Sequence, residues 1–193
     1  MRSLRRHAPL RFSLALAAGL GGFPAGALAA SVVLASASTL TLAGAQQVAT
    51  LHLDAAQGAA LRQIAQGKPA SLPGDPARYR SAALVLDKLS LTAAGAKGGY
   101  FYTIHLAPAG EPGPPAQPPV GTLGPFEIAA AQQRGVAWLS YSLNDLPGAA
   151  GAQQVSPLVV TFRQAGNADG PLIGIGSVRL ELRTEVGDQQ PAR

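Results

Sequence analysis

The run Tyr100–Pro108, YFYTIHLAP, admits few structures. Tyr100, Tyr102, Ile104 and Leu106 fall on one side of a two-residue period, and Phe101, Thr103 and His105 on the other. Aromatic and β-branched residues in that alternation describe a half-buried pleated strand. An apolar run precedes it, with Leu84, Leu86, Leu89 and Leu91, and Asp87-Lys88 interrupts that run as a bulge or strand end would. The spacer Thr92–Gly99 carries three glycines, which tolerate the positive φ of a tight turn. Together these features predict a β-hairpin over 81–108, at the centre of an antiparallel sheet.

The flanking chain has the same character. Ala30–Gly44 reads as a first strand or a loose leader, with Leu40 and Leu42 alternating with Thr39 and Thr41. Gln46–Leu53 alternates again, placing Ala49, Leu51 and Leu53 on one face. Asp54 then stands where an N-cap belongs. Gln57 completes a capping box and Gly67 offers a stop, so a short helix is expected between them. Prolines and glycines make a loop of 68–80, and Ala109–Pro119 carries five prolines, which exclude a helix or a central strand. Val120–Ile128 reads as a strand with a Gly-Pro kink. Val136–Leu143 reads as a strand with Ala137, Leu139, Tyr141 and Leu143 inward and Trp138 outward. Asn144-Asp145 suits the cap of a helical turn over 146–150. Val155–Arg163 (Leu158, Val160 and Phe162 on one face) and Ile173–Thr184 (Val178, Leu180 and Leu182 inside) complete the strands, with a turn at 167–170. Many short strands with turn signals and little helix predict an all-β, antiparallel β-sandwich or barrel-like fold with one short helix near the N-terminus. Residues 45–185 form one such domain in this reading, and 186–193 a polar tail.

The first 29 residues read as an export signal. Arg2, Arg5, Arg6 and Arg11 precede the apolar stretch 12–20, and Ala27-Leu28-Ala29 is a cleavage site. The stretch is too short and glycine-rich to serve comfortably as a membrane anchor. Periplasmic or extracellular placement follows, by general secretion or the twin-arginine route. The net charge of +5 falls to about +1 once four of the 15 Lys and Arg leave with that segment, against 10 acids. No basic cluster with interleaved aromatics remains, which argues against a nucleic-acid partner. With no cysteine, neither a disulfide framework nor a lipid-modified cysteine is available.

No chemistry stands out. Beyond residue 29 the only histidines are His52 and His105, on separate strands, where a metal site needs several ligands at set spacing. There is no G-x-S-x-G elbow, no P-loop and no dinucleotide fingerprint. The sequence therefore points away from an autonomous enzyme, and neither cofactor nor metal is expected.

The order of elements from Val48 to Leu182 resembles the C-terminal β-sandwich domain of bacterial tyrosinases and plant-type polyphenol oxidases. A leading strand and helix (ATLHLDAAQGAALRQI) are followed by the pair AALVLDKLSL and YFYTIHLAP, then by Gly121-Thr122-Leu123 in the place of a Gly-Ser-Phe-like strand. WLSYSLNDLPGA and the closing pair PLVVTFRQAG and IGSVRLEL match in style. The family's Asn-Leu-Pro-like strand end is here Leu106-Ala107-Pro108, without the Asn, and the six-histidine copper domain has no counterpart. The resemblance implies a secreted, non-catalytic accessory domain that binds a type-3 copper oxidase in trans, as a lid, chaperone or subunit. Such a domain needs an exposed aromatic knob on a rigid sheet. The candidates are Tyr100, Phe101, Tyr102, Phe126 and Trp138. The alternatives are a periplasmic structural or adhesion-type sandwich with no copper connection, and copper carriage by His52 with His105.

Overall fold

The computed structural model describes residues 30–109, 118–144 and 157–184. The expected export signal, the helical turn over 146–150 and the tail from 186 lie outside these residues, as does most of the Pro-rich stretch. Eleven strands form among the described residues: β1 (Ser31–Ala37), β2 (Leu40–Ala43), β3 (Gln46–Leu51), β4 (Ser81–Asp87), β5 (Ser90–Leu91), β6 (Tyr100–Pro108), β7 (Gly121–Leu123), β8 (Leu139–Ser142), β9 (Leu158–Gly166), β10 (Pro171–Ile175) and β11 (Ser177–Arg183). Two helices accompany them, α1 (Ala55–Ala65) and α2 (Pro125–Gln133). The protein is an all-β antiparallel sandwich. One four-stranded sheet has the order β1-β11-β4-β8, the other β3-β9-β6-β7, and a three-stranded sheet β2-β10-β5 joins them.

The three orders repeat one theme. In every sheet the N-terminal segment 31–51 lies beside the C-terminal segment 158–183, and the central segment 81–108 lies on that segment's other side. The C-terminal segment thus runs up the middle of all three sheets. It pairs from Arg183 opposite Ser31 to Leu158 opposite Leu51 on one flank. On the other it pairs from Arg183 opposite Ser81 to Leu158 opposite Pro108. A fourth segment, 121–142, adds β7 beside β6 and β8 beside β4. The molecule is one antiparallel sheet of four chain segments, folded over so that its two halves face each other.

The fold line explains why the expected hairpin does not form. The runs 81–91 and 100–108 do not pair with each other. The central segment instead passes from one half of the sandwich to the other, and each half of it finds β11, β10 or β9 as a partner. The spacer glycines serve a 3-10 turn at Gly95–Lys97 that makes the crossing. Asp87-Lys88 does end a strand, as its break in pattern suggested. Lys88 holds φ at 53°, in the left-handed region, which costs a non-glycine residue about 1 kcal/mol. Beside it Gly176 breaks the final run into β10 and β11, where a single strand is expected from the sequence. A Cβ on Gly176 would lie 2.6 Å from the Lys88 Cβ, and its N–H donates to the Asp87 carbonyl at 2.9 Å. Strands that switch sheets at such bends form the corners of folded sheets.

Alternation decides what fills the interior. Tyr102, Ile104, Leu123, Leu158, Val160 and Phe162 from one four-stranded sheet, and Leu84, Leu86, Val178, Leu180 and Leu182 from the other, are fully buried. Each such side chain stabilises the fold by about 1.5–3 kcal/mol. Helix α1 forms where expected. Asp54 accepts from the Gln57 N–H at 2.8 Å, and Gln57 Oε1 accepts from the Asp54 N–H at 2.8 Å. Its Leu61 and Ile64 enter the core. On the outer face of β11, Arg179 bonds Asp87 at 2.8 Å and Glu181 at 3.2 Å, and Arg183 meets Glu181 at 3.4 Å. This ladder of charges shields the sheet beneath it, where Ala83 and Val85 are buried.

Tyrosine hydroxyls fasten turns and edges to this frame. Tyr102 donates to the Gly44 carbonyl at 3.3 Å and Tyr100 to that of Gly95 at 3.1 Å, while Tyr79 donates to Asp75. Tyr141 of β8 donates to the Thr122 carbonyl of β7 at 2.8 Å, joining the edges of the two facing sheets. The ring fits only because residue 121 is glycine: a Cβ there would stand 2.2 Å from the Tyr141 Cδ1. Replacing Tyr141 with Phe removes the latch hydrogen bond and should cost about 1 kcal/mol in urea unfolding. Gly121→Ala should cost more, about 1–3 kcal/mol, because the ring must move. A loss for Gly121→Ala no larger than for Tyr141→Phe would refute the tight ring–backbone contact.

Burial raises the pKa of Tyr141, Tyr100 and Tyr102, and burial with the Asp75 contact pushes Tyr79 up to about 12. Unfolded tyrosines ionise near pH 10. Above about pH 10, then, the folded chain holds protons that the unfolded chain has lost. The tyrosines' contribution to stability should be level just below that point and fall as pH rises from about 10 toward 12. A flat thermal-unfolding profile across that window would contradict the buried, bonded hydroxyls.

Candidate interaction surface

The alternation along β6 sorts the aromatic candidates. Tyr100 and Tyr102 face inward, 6% and 0% exposed, with their rings edge to face at a centroid distance of 6.0 Å. They are core residues and cannot meet a partner without unfolding the sheet. Phe101, between them, points outward and is 44% exposed. It stands opposite Ala165 of β9, on the outer face of the sheet.

Phe126 reaches the surface by another route. The sequence suggests a kinked strand over 120–128, but only Gly121–Leu123 is strand, and the chain then enters α2 at Pro125. Proline at the first helical position has no N–H to waste and a φ already suited to the helix. Gly124-Pro125 is thus the start of a helix, a reading that the same dipeptide allowed. Ile128 and Ala131, three residues apart, are buried and fix which face of α2 looks inward. Phe126 lies about 200° around the helix from Ile128 by the helical period, and is 81% exposed.

Phe101 and the first turn of α2 meet at one glycine. A Cβ on Gly124 would come within 3.3 Å of the Phe101 Cβ and 3.2 Å of a Glu127 carboxylate oxygen. Glu127 also approaches the Thr122 hydroxyl at 3.4 Å. The result places Phe101 beside one carboxylate at the junction of β6, β7 and the first turn of α2, the turn that carries Phe126. Trp138, the remaining candidate, is half-buried just before β8, a strand of the opposite four-stranded sheet. Sequence reasoning missed Gly124 and Glu127, whose signal was the helix start itself.

His52 and His105 do not converge. His105 lies in β6 and His52 just beyond β3, with β9 between those strands. Two strand spacings alone separate them by roughly 9–10 Å. His105 is buried, with its Nε2 3.1 Å from the Thr103 hydroxyl, and His52 is exposed. Among the described residues no three His, Cys, Asp or Glu side chains cluster as a metal site would require. No helix among them is long and apolar enough to cross a membrane.

No known protein family and no curated protein matches the chain. Two solved structures are similar in outline. One is the empty head of turnip yellow mosaic virus, 13% identical over 95% of this chain and 96% of that one, with a TM-score of 0.27. The other is Desmodium yellow mottle tymovirus, 12% identical over 89% and 97%, with a TM-score of 0.29. These superpositions are too loose to bear on function, and the fold assignment rests on the strand pairing itself.

The surface assignment makes a stability prediction. Phe126→Ala should leave the urea midpoint almost unchanged, because its ring is 81% exposed, and Phe101→Ala, with over half its surface covered, should cost about 1 kcal/mol. Tyr102→Ala should cost about 3–5 kcal/mol. A large loss from Phe126→Ala would place that ring in the core.

Proposed function

We propose that this protein is a secreted, non-catalytic β-sandwich that works by binding another protein through Phe101 and Phe126. The observation that carries the reading is Phe126, a large apolar ring left 81% exposed on a helix start whose inward face is anchored. An exposed aromatic on a rigid support is the kind of residue that fills a partner's pocket and dominates binding. The partner class comes from the sequence resemblance: a type-3 copper oxidase of the tyrosinase kind, met in trans by an accessory domain acting as lid, chaperone or subunit. The two phenylalanines supply the knob that such a role needs.

The test uses the purified protein and a purified tyrosinase-like copper oxidase. The reading expects a complex on titration calorimetry and a changed rate of diphenol oxidation. Both effects should weaken at least tenfold in the Phe101→Ala, Phe126→Ala double variant, with its β-sheet circular dichroism spectrum and cooperative unfolding preserved. Absence of binding to both the apo and the copper-loaded oxidase would overturn the copper connection and favour the structural or adhesion reading. Binding that survives the double variant would overturn the assigned surface.

A further inference from the structure

The folded sheet has two open sides, and the sequence treats them differently. On one side the outermost strands are β5, of two residues, and β7 and β8, of three and four. β7 and β8 are separated in sequence by α2 and tied together by the Tyr141 hydroxyl on Thr122. Short, interrupted and capped edges resist pairing with another chain. On the other side the outermost strands are β1, β2 and β3, of seven, four and six residues. β1 and β3 approach one another along this side, yet no ladder joins them.

That longer side lacks the usual protection. From Ala30 to Leu53 there is no Lys, Arg, Asp, Glu or Pro. Native edges are normally blunted by charges, prolines, bulges or brevity. Here the one device on β1 is the bulge between Val33 and Ala35. Val33 on β1 and Val48 on β3 are two of the four large apolar side chains left exposed among the described residues, at 49% and 44%. The other two are Phe101 on β6 and Phe126 on α2. An edge free of charge can pair with its own copy. Two copies related by a two-fold axis bring identical residues near one another, so a charged edge repels itself and an uncharged one does not.

We propose that β1 pairs antiparallel with β1 of a second copy of this chain, making an eight-stranded sheet from two four-stranded ones. The pairing satisfies the outer backbone groups of β1 and covers Val33. It leaves Phe101 and Phe126, at the opposite side of the sheet order, free for another partner. The inference does not depend on the proposed function.

The experiment is a mass measurement by light scattering and sedimentation equilibrium over a wide concentration range. The wild-type protein should show twice the chain mass, with amides of β1 gaining protection from hydrogen exchange as concentration rises. Val33→Lys, which sets a charge beside its own copy, should return the mass to that of one chain while keeping the β-sheet circular dichroism spectrum. Ser142→Lys, on the short exposed edge strand β8, should leave the doubled mass intact and serves as the folded control. A single-chain mass for the wild type at all concentrations would overturn the proposal. So would a doubled mass that Val33→Lys does not reduce, or one that Val48→Lys breaks and Val33→Lys does not, since the contact would then lie elsewhere.

Discussion

The backbone ladder of the C-terminal segment 158–183 is the interaction on which everything else depends. It is the one segment with a neighbour on both sides in all three sheets. Its alternate residues Leu158, Val160 and Phe162 face one half of the core, and Val178, Leu180 and Leu182 the other. The outermost strands, which hold one ladder instead of two, are positioned by it directly or through the central segment. Because its partners lie far away in sequence, its ladders close loops that run from 50 residues (Pro108 to Leu158) to 152 (Ser31 to Arg183). Such long-range pairing makes folding slow compared with helical proteins of similar size.

Folding this sheet over requires a crease, and the crease is where ordinary rules are broken. Lys88 adopts a left-handed backbone that a lysine disfavours, and Gly176 lies against it where no side chain fits. Neighbouring strands therefore bend at the same level. The strain is modest beside the apolar area that the two facing halves bury. The rim is held by smaller devices. Tyr141 reaches across from β8 to β7, and Tyr102 holds the turn at Gly44. Phe101 and Phe126 lie on β6 and in the first turn of α2, so their geometry rests on a strand and a helix start held by the core.

The sequence made faces legible and left partners hidden. Alternation is local, and it placed Tyr102, Ile104, Phe162 and Leu180 inside and Phe101 outside without any knowledge of the neighbours. Pairing is not local. An apolar run, a glycine-rich spacer and a second apolar run describe a hairpin and a corner crossing equally well, and the C-terminal segment decided between them. Gly124-Pro125 posed a similar ambiguity, since a strand kink and a helix start share the same dipeptide. The buried spacing of Ile128 and Ala131 resolves it toward the helix. Of the five aromatic candidates, period two distinguishes Phe101 from Tyr100 and Tyr102, but Phe126 was placed only by recognising α2.

The central claim is that the segment 81–108 crosses the sandwich and does not turn back on itself. Cross-strand proton contacts in nuclear magnetic resonance test it most directly. The account predicts backbone contacts of Leu84 with Leu180 and of Ile104 with Phe162, the register of a sheet folded about its C-terminal spine. Contacts of Leu84 or Leu86 with the backbone of Tyr102 or Ile104 would instead mean a hairpin, and the folded-sheet account would be wrong.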